Sequence, residues 1–267
     1  MNVTIVIPAR YESTRYPGKP LVSLKGASGT SKSLIQRSWE AAMSVPGVSR
    51  VVVATDDDRI ESAAKSFGAE VIMTSSECRN GTERCAESLE QLDEDVEIIV
   101  NLQGDAPLTP SWFIEDLVGA LVADPSADVA TPVLRADGKT LSGFMQDRKA
   151  GRVGGTTAVF DVNGRALYFS KEVIPYTVSP PKDKNAMTLV FHHVGVYAYR
   201  PETLKKYVAW DVGFLEGLEG LEQLRFVERG KKVLCVEVDA RNRQFWELNN
   251  PEDVPRLEKM MSEMGIE

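Results

Sequence analysis

Short apolar runs alternate with amphipathic segments through the first half of the chain. Four runs rich in Val and Ile predict strands: Val3 to Ile7, Arg50 to Thr55, Glu70 to Thr74 and Glu97 to Leu102. Four segments have helical spacing: Leu34 to Ser44, Arg59 to Phe67, Gly81 to Leu92 and Ser111 to Ala123. Strands that are apolar on both faces and alternate with helices predict an α/β fold, with a mostly parallel sheet covered by helices. Ligands bind such sheets at the carboxyl ends of the strands, so we expect the site in the loops that follow these four strands.

The second half has a less regular pattern. Its predicted strands are Asp128 to Leu134, Ala158 to Asp161, Ala166 to Ser170, His193 to Tyr199 and Lys232 to Val238. Its predicted helices are Pro201 to Val208, Glu216 to Gly230 and Pro251 to Met264. Two segments, 137–155 and 177–188, are predicted to be long loops that form a lid or a dimer arm. No shift in composition divides the chain, so we expect a single domain over residues 1–267.

Charge and cysteine content narrow the class of protein. The net charge of −8 argues against a nucleic-acid surface, which normally carries a basic stripe. The three cysteines are odd in number and match no metal-binding spacing, which indicates a reduced, cytosolic setting. The first residues lack a basic segment, and no apolar stretch approaches the roughly 18 residues of a membrane span. We therefore expect a soluble, cytoplasmic protein.

Three cations lie within ten residues of one another after the first predicted strand. Arg10, Arg15 and Lys19 belong to the loop PARYESTRYPGKPL, from Pro8 to Leu21. Arginine can clamp phosphate oxygens with two hydrogen bonds, and lysine can follow the charge onto a leaving pyrophosphate. The loop matches neither GxxxxGK[ST] nor GxGxxG. It therefore predicts a triphosphate loop of another kind, with a solvated basic loop as the alternative.

A carboxylate follows the strand that ends at Leu102. Asp105 lies in NLQGDAP, beside a turn glycine, where it would face the ligand crevice. Mg²⁺ is commonly held by one or two carboxylates together with substrate phosphates and water. Asp105 is therefore a candidate magnesium ligand, and a cap of the turn or of the next helix is the alternative.

Candidate sugar ligands lie in the second half. The two histidines are adjacent, and strand alternation would place His193 and Tyr197 on one face. Glu216, Glu219, Glu222 and Gln223 follow one another at helical spacings, with Glu219 and Gln223 on one helix face. Carboxylate and amide oxygens accept hydrogen bonds from sugar hydroxyls. A structural histidine and a solvated acidic face are the alternatives.

Several motifs in one order identify a resemblance. IPARYESTRYPGKPL resembles the opening of the 3-deoxy-manno-octulosonate cytidylyltransferases, the CMP-Kdo synthetases. The similarity continues through VVVATDDDRI, GTER, IVNLQGDAPL, ALYFSKEVIPY, HHVGVYAYR and LEGLEGLEQLR, which together reach Arg225. The resemblance implies a nucleotide-diphospho-sugar transferase-like (Rossmann-like) fold with a smaller region for sugar binding and dimerisation, roughly residues 128–212. It also implies CTP, Mg²⁺, an acidic sugar, a homodimer and a role in lipopolysaccharide biosynthesis.

The resemblance also implies a role for each matching residue. The predicted nucleotide-binding residues are Pro8, Ala9, Arg10, Arg15, Lys19, Thr74, Gly81, Thr82, Arg84 and Asp105. Of these, Arg10, Lys19 and Asp105 are predicted to be catalytic. The predicted sugar-binding residues are Gln103, Lys171, His193, Tyr197, Glu222 and Gln223. Asp105 is the predicted metal ligand, and Asn249 a weak second one. The implied reaction is attack of the sugar's anomeric hydroxyl on the α-phosphorus of CTP, with pyrophosphate leaving.

Three positions depart from the family's pattern, all in the second half. Asn249, in WELNNPEDV, occupies the place of a metal-binding Asp, with Glu247 nearby as a possible substitute. Thr157 stands where the family has Lys, and Lys171 where it usually has Arg. The acceptor is therefore left open between Kdo and a related acid, such as an amino-Kdo, a sialic-type sugar or a phosphonate. A paralogue that binds nucleotide with little turnover is a further alternative.

Overall fold

The computed structural model describes residues 1–13, 16–92, 95–153, 155–241, 243, 246–248 and 250–267. The strands are β1 Val3–Ala9, β2 Ser23–Lys25, β3 Ser31–Ser33, β4 Arg50–Thr55, β5 Glu70–Met73, β6 Ile98–Leu102, β7 Val129–Asp137, β8 Thr156–Phe160, β9 Ala166–Ser170, β10 Met187–His193, β11 Val196–Tyr199 and β12 Val233–Glu237. The α-helices are α1 Leu34–Met43, α2 Asp58–Ser66, α3 Gly81–Ser88, α4 Ser111–Ala123, α5 Gly138–Lys149, α6 Pro201–Tyr207, α7 Phe214–Glu219, α8 Leu224–Glu228 and α9 Asp253–Met264. Short 3-10 turns cover Lys19–Leu21 and Leu89–Gln91.

The described chain divides into two compact units. The first unit comprises Met1–Glu115, Tyr199–Val208 and Ala240–Glu267, and the second comprises Asp116–Ala198 and Ala209–Asp239. No helix of the described residues is long and apolar enough to cross a bilayer.

The first unit is built on parallel strands in the order β5-β4-β1-β6. Every residue of β6 is buried, as are all but one in β1, which is why these strands lack polar alternation. Side-chain caps begin the helices on this sheet: Ser33 for α1, Asp57 for α2 and Asn80 for α3. Parallel pairing brings the loops that follow β1 and β6 to one edge, so the predicted α/β fold is confirmed for these strands.

An apolar cluster joins distant segments of the first unit. Leu24, Leu34, Leu248 and Leu257 are buried together, so β2, α1 and α9 share one core. Because only Val22 separates β2 from the 3-10 turn at Lys19–Leu21, this core supports the end of the phosphate loop.

The second unit is a mixed sheet. Strand β7 pairs antiparallel with β10 and parallel with β12, and β8 lies antiparallel to both β10 and β9. The predicted loop over 137–155 is wrong, because residues 138–149 form helix α5. Asp137 caps this helix through the N–H of Thr140, but Leu141 and Phe144 are its only buried large apolar residues. That apolar stripe is too narrow to reveal the helix in the sequence.

Two further predictions in the second half are corrected. The predicted helix from Glu216 to Gly230 is two helices, α7 and α8, separated at Gly220, whose φ of 61° lies in the left-handed region. Glu219 and Gln223 therefore do not share a helix face. The predicted strand from His193 to Tyr199 is also interrupted, since β10 ends at His193 and β11 begins at Val196.

Candidate active site

A pocket of about 230 Å³ opens in the first unit at the carboxyl ends of β1 and β6. It is lined by Pro8, Ala9, Arg10, Ser13, Lys19, Pro20, Cys78, Arg79, Asn80, Gly81, Arg84, Gln103, Gly104 and Asp105. The predicted phosphate loop, the GTER segment and the NLQGDAP segment therefore meet in one place. Gln103, predicted to contact the sugar, lines this same pocket. Arg15 lies outside the described residues.

Lys19 and Asp105 form the central ion pair of the pocket. The distance from Lys19 Nζ to Asp105 Oδ2 is 2.5 Å, and both side chains are mostly buried. Lys19 begins the 3-10 turn directly after Gly18, whose φ of 71° lies in the left-handed region that glycine adopts readily. The carbonyl of Asp105 accepts a hydrogen bond from the N–H of Leu248 at 3.0 Å. The pocket therefore holds a cation from the loop after β1 and a carboxylate from the loop after β6.

Arg84 forms one wall of the pocket and is almost fully buried. Its guanidinium donates to the Thr74 hydroxyl and lies 3.3 Å from Asp56 Oδ2. Thr82 is also buried, with its hydroxyl 2.8 Å from that of Tyr199. Thr74 and Thr82 do not line the pocket, so the structure places these two predicted nucleotide ligands behind its wall, as supports.

Two glycines allow backbone and side chains to approach closely. A Cβ at Gly81 would lie 3.0 Å from Gln103 Nε2 and 3.2 Å from Pro8 Cγ. A Cβ at Gly104 would lie 2.9 Å from the carbonyl oxygen of Pro8. A side chain at either position would push the walls of the pocket apart.

Sequence reasoning missed several lining residues, among them Ser13, Cys78, Arg79 and Asn80. Asn80 caps α3 by accepting from the N–H of Glu83, a role that its place before GTER suggests. Cys78 donates to Glu87 Oε2 at 3.0 Å, and burial followed by that hydrogen bond raises the pKa of the thiol to about 12. Cys78 therefore stays protonated and is no nucleophile. All three cysteines are free.

The second unit brings three predicted sugar ligands together. His193, Tyr197 and Gln223 are all buried. The rings of His193 and Tyr197 are 5.6 Å apart, and the Tyr197 hydroxyl donates to Gln223 Oε1 at 3.1 Å. Gln223 Nε2 has no hydrogen-bond partner among the described residues. It is therefore a buried donor available to a ligand oxygen.

The protonation state of His193 follows from its surroundings. Burial, with a smaller contribution from His192, lowers its pKa to about 3. The Thr131 hydroxyl donates to the carbonyl of Val196 at 2.8 Å, so its oxygen accepts from His193 Nε2–H, also at 2.8 Å. His193 is therefore a neutral imidazole with Nδ1 as its acceptor, and it cannot serve as a cation for a sugar carboxylate.

Glu219 fastens the end of β9 to the end of α7. Its carboxylate accepts from the Ser170 hydroxyl at 2.6 Å, the Tyr168 hydroxyl at 3.3 Å and the N–H of Lys171 at 3.0 Å. Burial opposes ionisation, but these hydrogen bonds outweigh it, and the pKa of Glu219 is lowered. The Lys171 ammonium lies 3.0 Å from where a Cβ at Gly220 would stand. Lys171 is thus held beside the break between α7 and α8.

The acidic residues around α7 are not a solvated face. Glu216 is buried and forms two hydrogen bonds of 2.6 Å to the guanidinium of Arg225, which is fully buried. Glu222 is half-buried in the turn before α8. The solvated-face alternative is therefore wrong for Glu216 and Glu219, which have structural partners.

Asp105 is the described acidic residue of the pocket that could ligate a metal ion. Among the residues that the structure describes, no group of three or more His, Cys, Asp or Glu side chains could hold a metal ion. Asn249 lies outside the described residues. The ion pair with Lys19 engages Oδ2 of Asp105, and the carboxylate keeps partial exposure in the pocket. One such carboxylate fits Mg²⁺, which takes its other ligands from phosphates and water.

The fold and the pocket define an α/β nucleotidyltransferase. The sequence pattern of the family described as "Cytidylyltransferase" matches residues 4–233. The 3-deoxy-manno-octulosonate cytidylyltransferase of Maricaulis maris is 44% identical over 99% of both chains, and that of Chlamydia pneumoniae is 40% identical over 96% of this chain and 92% of its own. A solved CMP:2-keto-3-deoxy-manno-octonic acid synthetase complexed with CTP superposes with a TM-score of 0.82, at 33% identity, over 99% of this chain and 100% of its own. The chain belongs to the 3-deoxy-manno-octulosonate cytidylyltransferase family.

Proposed function

We propose that this protein transfers CMP from CTP to the anomeric hydroxyl of 3-deoxy-manno-octulosonate (Kdo) and releases pyrophosphate. The observation that carries the proposal is the pocket of the first unit, in which Arg10, Lys19 and Asp105 meet at the carboxyl ends of β1 and β6. Relatives that match the whole chain are cytidylyltransferases for this sugar, and a similar solved structure holds CTP.

The first unit would bind the triphosphate. Arg10 is exposed at the rim of the pocket, where its guanidinium can form bidentate hydrogen bonds to phosphate oxygens. Lys19 would follow the charge that develops on the leaving pyrophosphate. In-line displacement at phosphorus needs little covalent help from the protein, so positioning and neutralisation of charge supply most of the rate enhancement.

We propose that Mg²⁺ takes part in the reaction and that Asp105 holds it. When bound, the ion would offset phosphate charge and lower the pKa of the attacking hydroxyl. Lys19 keeps the Asp105 side chain in place until the nucleotide arrives.

The second unit would bind the sugar. Neutral His193 offers Nδ1 as an acceptor for a hydroxyl, and Gln223 offers Nε2 as a donor. The Lys171 ammonium, which lies beside Gly220, is the candidate partner for the sugar carboxylate. Because an ammonium is a point charge without the fork of a guanidinium, Lys171 would tolerate a wider range of acids than Arg at this position.

A homodimer is proposed for the assembly. Leu167, Leu189 and Phe214 of the second unit are largely exposed, and we expect them at the interface. Three free cysteines support a reducing compartment, and we propose the cytoplasm.

The proposal is tested by pyrophosphate release from CTP with Mg²⁺ and a panel of acids: Kdo, an amino-Kdo, a sialic acid and a phosphonate. We expect turnover with CTP and Kdo, little with UTP, and none after EDTA. If another acid supports turnover and Kdo does not, that acid is the acceptor. If the protein binds CTP but turns over none of the acids, it is a nucleotide-binding paralogue.

A further inference from the structure

The side chain of Tyr11 touches two parts of the first unit that lie far apart in sequence. The guanidinium carbon of Arg59, in α2, lies 3.3 Å from the centre of the Tyr11 ring. The same ring lies against Gly18, where a Cβ would be 3.1 Å from Tyr11 Cζ and Oη. Tyr11 therefore connects the first turn of α2 with the end of the phosphate loop. We refer to Tyr11, Gly18 and Arg59 as the loop clasp.

Arg59 is itself held in place. Its Nε donates to Asp57 Oδ1 at 2.9 Å and its Nη2 to Oδ2 at 2.5 Å. Asp57 also caps α2 through the N–H of Arg59 at 2.9 Å. Two parallel hydrogen bonds to one carboxylate fix the plane of the guanidinium, so it stays over the Tyr11 ring. Arg59 does not line the nucleotide pocket.

Gly18 is the other fixed point of the loop clasp. Its N–H donates to the carbonyl of Tyr11 at 2.9 Å, which closes the loop on itself. Its carbonyl accepts from the N–H of Leu21 at 2.9 Å, which begins the 3-10 turn that carries Lys19. The positive φ of Gly18 and the lack of room for a Cβ leave glycine as the residue that fits. The position of Tyr11 therefore fixes the place at which the 3-10 turn begins, and with it the position of Lys19.

We propose that Arg59 is a positioning residue of the nucleotide site: through Tyr11 and Gly18 it fixes the turn that presents Lys19 to Asp105 and to the triphosphate. This inference rests on the proposed function, because it takes the loop to bind the phosphates of CTP. A purely structural role as part of the α2 cap is the alternative, and it would leave the loop unaffected.

The first test is independent of catalysis. Hydrogen–deuterium exchange followed by mass spectrometry reports on the peptide that covers residues 11–21. Arg59→Ala and Tyr11→Ala should speed its exchange at unchanged thermal midpoint, because the Gly18 N–H loses its protection. Lys65→Ala removes an exposed cation of the same helix, which pairs with Glu61, and should leave the peptide unchanged. Unchanged exchange in Arg59→Ala would overturn the loop clasp whether or not the protein turns over CTP.

The second test uses turnover with CTP and Kdo. Arg59→Ala should raise KM for CTP about fivefold, as expected for one exposed cation–π contact, with KM for Kdo unchanged. The KM of Arg59→Lys for CTP should lie between those of the wild type and Arg59→Ala. The KM of Tyr11→Phe for CTP should be lower than that of Tyr11→Ala, because the ring is kept. The Arg59→Ala/Tyr11→Ala double variant should be no worse than Tyr11→Ala alone, since Arg59 acts on the loop only through the Tyr11 ring. Equal rises in both KM values, or additive losses, would overturn the inference. An inactive wild-type protein would instead refute the proposed function.

Discussion

At the scale of single residues, the pocket depends on charged side chains that their neighbours hold in position. Lys19 and Asp105 hold each other, and Arg84 is fixed by Thr74 and Asp56. The type of most of these residues could be predicted from the sequence, because cations after β1 and a carboxylate after β6 sit where α/β sheets bind ligands. That Thr74 and Thr82 lie behind the wall could not, because burial of a hydroxyl depends on partners such as Tyr199, which is distant in sequence.

The first residue-scale prediction concerns Asp105. Asp105→Asn removes the charge that pairs with Lys19 and the candidate magnesium ligand. We expect kcat to fall by on the order of 10²–10³, with little change in thermal midpoint. Steady-state kinetics over a Mg²⁺ titration measures the loss. Glu97→Gln, at an exposed acidic position, is the control. Near-normal turnover in Asp105→Asn would exclude Asp105 from the chemistry.

The second residue-scale prediction concerns His193. Its pKa in the folded protein is lowered to about 3, against about 6.5 in an unfolded chain. The stability that it contributes is therefore complete above about pH 6.5 and is lost as the pH falls toward 3, because the unfolded chain binds the proton first. Between pH 7.5 and 5.5 the wild type should lose about 1.4 kcal/mol more of unfolding free energy than His193→Gln. Urea denaturation at both values measures it; equal losses would contradict a buried, neutral His193.

At the scale of elements, the first half of the chain was predictable and parts of the second were not. Strands β1, β4 and β6 are continuous apolar runs, so their parallel pairing follows from composition. Helix α5 was missed because few of its residues are buried. The break between α7 and α8 was missed because a glycine within a helical pattern is often tolerated, whereas Gly220 adopts a left-handed conformation.

The element-scale prediction concerns Glu219, which joins β9 to α7. Glu219→Gln leaves one oxygen to accept from Ser170, Tyr168 and the N–H of Lys171. We expect KM for the sugar to rise about tenfold, with KM for CTP unchanged, and stability to fall by about 1–3 kcal/mol. Steady-state kinetics with each substrate varied in turn checks this. Glu237→Gln, on the exposed pair with Arg135, should change neither KM. An equal rise in both KM values would contradict a local role for Glu219.

At the scale of the whole molecule, two compact units carry the two groups of predicted ligands. Most nucleotide-side residues lie in the first unit, and all the predicted sugar ligands except Gln103 lie in the second. The resemblance of the motifs, in one order along the chain, to a single family predicted both groups. The division into units arises from contacts between residues distant in sequence, such as those of Leu248 and Leu257 with Leu24. Local sequence patterns do not predict such contacts.

The prediction at this scale concerns that shared core. Leu257 is fully buried in α9 and packs in the cluster that supports β2 and the Lys19 turn. Leu257→Ala should lower the unfolding free energy by about 2–5 kcal/mol through lost burial and the cavity left behind. Chemical denaturation measures the change, with Lys259→Ala on the exposed face of α9 as the control. A loss below 1 kcal/mol would show that α9 is not part of the core.

The proposed reaction of the whole protein is transfer of CMP from CTP to Kdo, with release of pyrophosphate. Phosphorus NMR of a single reaction containing the wild-type protein, CTP, Mg²⁺ and Kdo tests it most directly. We predict that each CTP consumed gives one phosphodiester resonance of a CMP-sugar and one equivalent of pyrophosphate. Unchanged CTP, or pyrophosphate and CMP without a sugar phosphodiester, would contradict the account.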